Sequence, residues 1–188
     1  MKVSREQMAE NRNHILDVAG RLFREKGFEA VSVAEVMNAA GLTHGGFYGH
    51  FTSKDDLIAK ALAHALKRSA DKKLDLGTYL DRYLSPNHRD NPGKGCPTAG
   101  LVAETRHQSP EARAAITHGF RRQIDSFMIA LPEASEDERR RAAIGSWAAM
   151  IGAVILSRSI DDPALSEEVL TATRGWIDTG ISHIPASQ

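Results

Sequence analysis

The order of apolar and polar residues along the chain predicts helices throughout. Apolar side chains recur every three to four residues, which places them on one face of an α-helix, and no segment shows the convincing period of two that a half-buried strand requires. The longer predicted helices cover residues 8–26, 76–84, 97–107, 110–131, 136–158 and 166–184. Shorter helices are predicted between residues 32 and 50, and another long one starts at residue 53. The pattern therefore predicts an all-α protein.

Capping signals set the ends of the first four helices. Gly27 follows the first helix and suits the left-handed conformation that ends many helices. Ser32 stands three residues before a glutamate, the spacing of a capping box, and Gly41 ends the helix that it starts. Thr43 is expected to cap a third, very short helix, and Ser53 to cap the fourth. The segment SPNHRDNPGKG, residues 85–95, is predicted to be a loop.

The glycine-rich segment GLTHGGFYGHF, residues 41–51, has an apolar and a polar face. Phe47 and Phe51 are one helical turn apart, so both are expected to point into a small core. The exposed face then consists of Thr43, His44, Gly45, Gly46, Tyr48, Gly49 and His50. A short helix of this kind, after a capped helix and a glycine turn, is typical of a helix-turn-helix.

This segment has three other interpretations. A phosphate-binding loop requires a preceding strand and a final Lys-Ser/Thr pair, and both are missing here. A metal site at His44 and His50 would place the two rings on different helix faces, with no third ligand nearby in the sequence. A stable three-helix corner that binds nothing remains the main alternative to a helix that contacts a surface.

The composition is that of a globular protein, with 41% apolar and 26% charged residues among 188. Net charge is zero, but residues 1–73 carry 12 Lys and Arg against 9 Asp and Glu, whereas the remainder carries 12 against 15. The single cysteine, Cys96, excludes an internal disulfide framework. The chain opens without a signal-peptide pattern, and its longest apolar run, residues 147–156, is too short to cross a bilayer. These features predict a cytoplasmic protein without a membrane partner.

The segment FREKGFEAVSVAEVMNAAGLTHGGFYGHFTSKDDL, residues 23–57, resembles the DNA-binding region of the TetR/AcrR family of transcriptional regulators. The shared features are a helix ending in Gly-Phe, a short recognition helix ending in Tyr-x-His-Phe, and a following Ser-Lys. The resemblance implies a three-helix helix-turn-helix DNA-binding domain over residues 1–53 and a larger helical effector-binding and dimerisation domain over residues 54–188. It implies a ligand-responsive repressor that binds a palindromic operator as a dimer and is released by a small-molecule effector or thiol modification.

By the same resemblance, the exposed face of the recognition helix contacts the major groove of a double-stranded DNA operator through Thr43, His44, Gly45, Gly46, Tyr48 and His50. Ser32 and Lys54, at helix starts, are expected to hold backbone phosphates. Lys2, Arg5 and Arg12 are expected to add nonspecific attraction. Each glycine costs about 1 kcal/mol relative to alanine in a helix, so the recognition helix is expected to be ordered mainly by its two phenylalanines and by DNA.

The resemblance also implies a homodimer formed through the last two helices and an effector of unknown identity. Residues 141–156 mix small and large apolar side chains, which suits a helical interface between two copies. The effector-binding candidates are Cys96, Phe120, Phe127, Trp147 and Met150. The four apolar candidates also suit an ordinary core. Cys96 precedes a proline that suits the first helical position, so its thiol is expected at a helix N-terminus, where it suits both a reactive sensor and an inert cap.

An enzyme is not expected, because no nucleophile–base pair, metal set or carboxylate cluster stands at an informative spacing. Glu104 and His107, three residues apart, are expected to form a surface pair. No cofactor and no metal are predicted. The alternatives are a helical protein–protein interaction module and a small helical enzyme, and salt-dependent binding of random DNA distinguishes the regulator from both.

Overall fold

The computed structural model describes residues 4–70 and 75–184, and every regular element in these ranges is helical, as predicted. The α-helices there are α1 (Arg5–Lys26), α2 (Val33–Ala39), α3 (Lys54–Ala70), α4 (Leu76–Tyr83), α5 (Pro86–Asp90), α6 (Pro97–Thr105), α7 (Pro110–Ala130), α8 (Glu136–Ser159) and α9 (Pro163–Ser182). Two 3₁₀ helices span His44–Gly49 and Pro92–Lys94. The chain divides into two compact units. Unit 1 holds residues up to 69 together with 92–119, and unit 2 holds residues 70–91 together with those from 120 onward.

The core of unit 1 lies among α1, α2, the 3₁₀ helix His44–Gly49 and α3. Its inner side chains include Ile15, Phe23, Phe28, Met37, Phe47, Phe51 and Leu57, each at most 2% exposed. The apolar stripe predicted for the first helix is therefore its buried face. Tight packing of this kind fixes the position of the 3₁₀ helix, which contributes Phe47 to the core.

The ends of α1 and α2 form by different bonds. Gly27 has a φ of 82°, as predicted, but its ψ of 167° is extended, so α1 does not end in a Schellman turn. Phe28 nevertheless turns back, and its ring lies edge-on to that of Phe23 with centroids 5.3 Å apart. At α2, Gly41 has a φ of 68° and the Leu42 N–H donates to the Met37 carbonyl at 2.9 Å, which is a Schellman turn.

In unit 1, α6 is bonded to the end of α1. The Phe28 N–H donates to the Glu104 carboxylate at 2.8 Å, so the predicted surface pair of Glu104 with His107 is wrong. The Arg24 guanidinium donates to the Gly93 carbonyl, with Nε at 3.0 Å. Unit 1 therefore combines the N-terminal helices with α6. The predicted functional boundary after residue 53 stays a prediction, because packing defines compact units and not their functions.

The structure differs from the prediction at residues 85–95, which span parts of both units, and at the start of the last helix. Residues 85–95 were predicted to be a loop but contain α5 and the 3₁₀ helix Pro92–Lys94, and Ser85 caps α5 by accepting a hydrogen bond from the His88 N–H at 3.2 Å. The last helix begins at Pro163 rather than at Ser166, because Asp162 accepts hydrogen bonds from two N–H groups of its first turn.

α8 is long and apolar enough, by length and composition, to cross a membrane. The length of its longest apolar run, on which the prediction of no membrane span rested, therefore does not decide the matter. Ala143, Trp147, Met150 and Val154 of this helix are at most 2% exposed inside unit 2, the burial pattern of a core helix.

Candidate nucleic-acid interface

The predicted recognition helix is a 3₁₀ helix of six residues, His44–Gly49, and not an α-helix. Three of the six residues are glycines, which lose the most conformational freedom on ordering and favour only a short helix. The Gly46 N–H donates to the Thr43 carbonyl at 3.0 Å, and the His50 N–H donates to that of Phe47 at 2.9 Å. Thr43 occupies the N-cap, but its hydroxyl makes no capping bond, contrary to prediction.

The predicted division between the two faces of this segment is confirmed by burial. Phe47 and Phe51 are 1% and 2% exposed, and their rings stack with centroids 5.6 Å apart. Tyr48 is 70% exposed, with its ring edge-on to Phe47 at 5.3 Å. The other exposed residues of the face are Thr43, His44, Gly45, Gly46 and Gly49. The outcome is a surface of small groups, one phenol and one imidazole on a rigid apolar base.

His50 differs from the rest of this face, because it is half-buried. Its ring is tilted against Phe51, with centroids 6.2 Å apart, and its carbonyl accepts a hydrogen bond from the Arg12 guanidinium. Burial, and then the charge of Arg12, lower the pKa of the His50 imidazole, so the ring is neutral at pH 7. A neutral imidazole offers one donor and one acceptor and no net charge.

Ser32 and Lys54 flank the recognition helix at the starts of α2 and α3. The exposed Ser32 hydroxyl accepts from the Glu35 N–H at 3.1 Å and keeps its own hydrogen for a further acceptor. The carboxylate of Glu35 is paired with Lys26 at 2.6 Å, so only one half of the predicted capping box forms. The Lys54 ammonium lies 3.4 Å from the Glu29 carbonyl, in the turn that leads to Ser32. Both phosphate-binding candidates therefore border the same turn.

The three additional cations have different environments. Arg5 is exposed at the first turn of α1, as a nonspecific attraction requires. Arg12 is half-buried, and its guanidinium lies 4.7 Å from the centroid of the Phe51 ring while donating to the carbonyl of His50. Arg12 is thus engaged within the protein. Lys2 lies outside the described residues.

The effector-binding candidates do not all come together. Phe127, Trp147 and Met150 are at most 2% exposed inside unit 2, where the rings of Phe127 and Trp147 lie 5.8 Å apart. Tyr79 and Tyr83, which the prediction did not include, complete this aromatic cluster at 5.3–6.5 Å from Trp147. Phe120 is half-buried at the start of the second segment of unit 2. Cys96 belongs to unit 1.

Cys96 is the N-cap residue of α6, as predicted, and is partly exposed. Its side chain makes no capping hydrogen bond. The Arg24 side chain, which is bonded to Gly93, lies close enough to Cys96 for the two groups to interact electrostatically. The thiol therefore lies beside the bond that joins this segment to α1.

The exposed apolar side chains of α8 and α9 in unit 2 mark a second surface. Ile144 is 37%, Leu165 45% and Trp176 63% exposed. Trp176 also lines a groove between α8 and α9, together with Gly145 and Gly180. Several apolar side chains of the two predicted interface helices, namely Trp147, Ile151, Leu170 and Ile177, are buried inside the unit. Fewer apolar side chains are therefore exposed on these helices than the sequence pattern predicts, and the dimer itself stays a prediction.

Sequence reasoning assigned other roles to two charged residues that hold this region together. Arg12 contacts His50 across 38 residues, and Glu104 contacts Phe28 across 76. Neither spacing follows a helical period, so the sequence pattern contains no signal for these contacts. Among residues 4–70 and 75–184, no three His, Cys, Asp or Glu side chains form a cluster that could hold a metal ion.

Comparison with known proteins places the N-terminal helices in a described family. Residues 15–61 match the family model for bacterial regulatory proteins of the tetR family. The transcriptional regulator AcrR of Shigella flexneri is 44% identical over 57 residues, which are 30% of this chain and 26% of that protein. The transcriptional repressor Rv1474c of Mycobacterium tuberculosis is 30% identical over 92 residues, 47% of this chain and 49% of that protein. The chain spans about a quarter of AcrR and about half of Rv1474c.

Solved structures with the same fold match nearly the whole chain. Escherichia coli NemR in its reduced form superposes with a TM-score of 0.75 over 95% of this chain and 100% of that chain, at 24% identity. A TetR-family transcriptional regulator from Cytophaga hutchinsonii gives 0.73 over 100% of both chains, at 19% identity. At these identities the likeness shows the all-helical fold of the C-terminal part as well as the N-terminal part.

Proposed function

We propose that this chain, whose residues 15–61 match the tetR family of bacterial regulatory proteins, is a cytoplasmic transcriptional repressor that binds a palindromic operator in double-stranded DNA. The observation that carries the proposal is the recognition helix, His44–Gly49, whose exposed face rests on the buried rings of Phe47 and Phe51. A helix-turn-helix reads base edges with such a face, while the neighbouring helix starts hold the phosphates.

The proposed DNA-contacting residues have distinct roles. The small side chains and glycines of the recognition helix let its backbone approach the major groove closely, and Tyr48 offers a phenol to a phosphate or a thymine methyl group. Ser32 and Lys54 bind phosphates beside the turn that both of them border. The complete set is Ser32, Thr43, His44, Gly45, Gly46, Tyr48, His50 and Lys54.

Operator binding requires two copies of the chain, since one recognition helix reads too few base pairs alone. We assign the contact between copies to α8 and α9, on the exposed apolar side chains Ile144, Leu165 and Trp176. Glycines let helices of two copies approach closely, and large apolar side chains fill the space between them. A twofold axis relating the copies then matches a palindromic operator.

The effector is proposed to bind in unit 2, among the aromatic cluster of Tyr79, Tyr83, Phe127 and Trp147. Met150 and Phe120 belong to the same unit. Opening a site there would separate buried rings, which couples effector binding to a rearrangement of α7 and α8. A second route to release is modification of Cys96, which lies beside the Arg24–Gly93 bond in unit 1.

Selection of bound sequences from a random pool of duplex DNA tests the central proposal. We expect a palindromic consensus with two half-sites, and a binding constant that falls steeply with salt concentration. Binding without sequence preference or without salt dependence would contradict it.

The thiol route has its own test. The protein is titrated with an alkylating reagent at several pH values while operator binding is followed, with Cys96→Ser as the control. Rapid labelling near pH 7 with loss of DNA binding, both absent in the control, supports a sensor. Labelling only above about pH 8.5, the ordinary thiol value, or full labelling without loss of binding, would contradict it.

A further inference from the structure

Few interactions within the recognition helix stabilise its conformation. It is one and a half to two turns long, half of its residues are glycines, and its N-cap hydroxyl makes no capping bond. Isolated helices of this length are unstable in water, and glycine makes them less stable still. Phe47 fixes the middle of the helix in the core, so its C-terminal end at His50 must be held by other groups.

We propose that Arg12 of α1 is the residue that positions the C-terminal end of the recognition helix, and that DNA binding depends on it without a contact between Arg12 and DNA. The inference rests on the proposed DNA-binding function. Arg12 lies within the protein at the point where the recognition helix ends and the chain turns toward α3.

The first contact of Arg12 is with the backbone at that point. Its guanidinium donates a hydrogen bond to the carbonyl of His50, the C-cap residue of the recognition helix. Carbonyls at a helix C-terminus lack partners within the helix and carry partial negative charge, so a cationic donor stabilises them. Arg12 thereby supplies the partner that the short helix lacks.

The second contact of Arg12 is with the side chain that follows. The same guanidinium lies 4.7 Å from the centroid of the Phe51 ring, whose own position is fixed by stacking on Phe47. A planar guanidinium can cover an aromatic ring while its edge donates to a carbonyl, whereas an ammonium group cannot do both in the same way. The two contacts together fix the distance between α1 and the end of the recognition helix.

Groups from α3 hold the next residue of the chain. The Thr52 N–H donates to the Asp56 carboxylate at 3.1 Å, and Asp56 is paired with Lys60 at 2.6 Å. The Lys60 ammonium also lies 5.9 Å from the centroid of the Phe51 ring. Residues 50–52 are thus held from α1 by Arg12 and from α3 by Asp56.

The contacts of Arg12 distinguish a positioning role for this residue from direct binding to a DNA phosphate. The guanidinium of Arg12 is half-buried, donates to His50 and covers the Phe51 ring, so part of its donor set is already used within the protein. The exposed Arg5, seven residues earlier on the same helix, has the same charge and no such engagement in the structure. Arg5→Gln is therefore the matched control for Arg12→Gln.

The experiment measures two properties of the full-length protein and its Arg12→Gln, Arg12→Lys and Arg5→Gln variants. The first is amide hydrogen exchange of His50 and Phe51 in the absence of DNA. The second is affinity for the selected operator and for random-sequence duplex DNA over a range of salt concentrations. Thermal unfolding of each variant confirms that it is folded.

We expect Arg12→Gln to raise exchange at His50 and Phe51 about tenfold, the scale of one hydrogen bond to a charged group, and to weaken operator binding to a similar degree. The dependence of operator affinity on salt should keep its slope. The exchange rates and the operator affinity of Arg12→Lys should be closer to those of Arg12→Gln than to those of the wild type. Arg5→Gln should leave exchange unchanged.

Three outcomes would overturn the positioning role. One is unchanged exchange in Arg12→Gln with a salt slope reduced by about one, which indicates a phosphate contact. The second is full recovery by Arg12→Lys, which indicates that charge alone matters. The third is an exchange rate at His50 and Phe51 that is the same in Arg12→Gln as in Arg5→Gln. If the wild type selects no operator, the function proposed above fails, while the exchange measurements still decide whether Arg12 holds the helix end.

Discussion

Phe47 and Tyr48 are neighbours in the chain but have opposite environments, 1% and 70% exposed. Phe47→Ala removes a ring from the core of unit 1, so we expect it to lower the free energy of unfolding by about 3–5 kcal/mol. Tyr48→Ala removes an exposed ring, so stability should change by less than about 1 kcal/mol while operator affinity falls about tenfold or more. Denaturant unfolding and operator titration of both variants measure the two effects. Loss of stability in Tyr48→Ala without loss in Phe47→Ala would reverse the assignment of faces.

The environment of the His88 imidazole indicates that the free energy of unfolding depends on pH. Burial lowers the pKa of its imidazole, as do the charges of Arg158 and Arg82 to a smaller degree, against the opposing hydrogen bond between Nδ1 and the Tyr83 carbonyl. A lowered pKa means that folding favours the neutral ring, so this stability is present above the ordinary value of about 6.5 and is lost as pH falls below it.

The variant His88→Asn tests this dependence, because an asparagine amide can donate to the same carbonyl and does not titrate. We expect the loss of unfolding free energy between pH 7.5 and 5 to be smaller in the variant than in the wild type. Urea unfolding at both pH values provides the measurement. Equal losses of unfolding free energy in the two proteins would show that His88 does not contribute to the pH dependence of stability.

At the scale of the helices, the sequence predicted most of the long elements because their apolar stripes and caps are local. Ser32, Ser53 and Gly41 each form the terminus expected from their position, and the inner faces of α1 and α3 are buried. The character of the recognition helix was not predicted, because three glycines weaken an α-helix without specifying what replaces it. α5 was missed although Ser85 and Pro86 form a standard cap and first position, because the surrounding Asn, Gly and Pro residues favoured a loop.

The exposed surface of the candidate site was also predictable, since it follows from the spacing of Phe47 and Phe51. The residues that hold it were not. Arg12 and Glu104 act across 38 and 76 residues, and such contacts depend on how helices pack against one another rather than on any local pattern. Burial of His50 followed from the same packing, since its carbonyl is bonded to Arg12.

The bond between α6 and the end of α1 gives a prediction at the same scale. Glu104→Ala leaves the buried Phe28 N–H without an acceptor, so we expect a loss of about 1–3 kcal/mol in unfolding free energy. Glu10→Ala removes an exposed carboxylate from α1 and should change stability by less than about 0.5 kcal/mol. Chemical denaturation compares the two. Equal effects would mean that the Glu104 bond does not stabilise unit 1.

For the whole molecule, the assembly depends on the exposed side chains of α8 and α9. Trp176→Glu places a charge in the proposed contact between copies, so we expect a monomer in sedimentation experiments and loss of operator binding. Ile129→Glu is the matched control, because Ile129 is 84% exposed on α7 in the same unit and lies outside the proposed contact. A dimer that survives Trp176→Glu would assign the contact to another surface.

The empty space around two glycines of the recognition helix has a consequence for how the protein tolerates mutation. Beyond its own helix backbone and its two chain neighbours, a Cβ added at Gly45 or Gly49 would have no atom within 4 Å. Alanine also favours a helix over glycine by about 1 kcal/mol. Alanine at these positions should therefore pass a screen for abundance in the cell. If the same variants fail a screen for reporter repression, an added methyl group at these positions interferes with DNA binding and not with folding. Positions at which the two screens disagree therefore identify where the protein backbone lies against DNA.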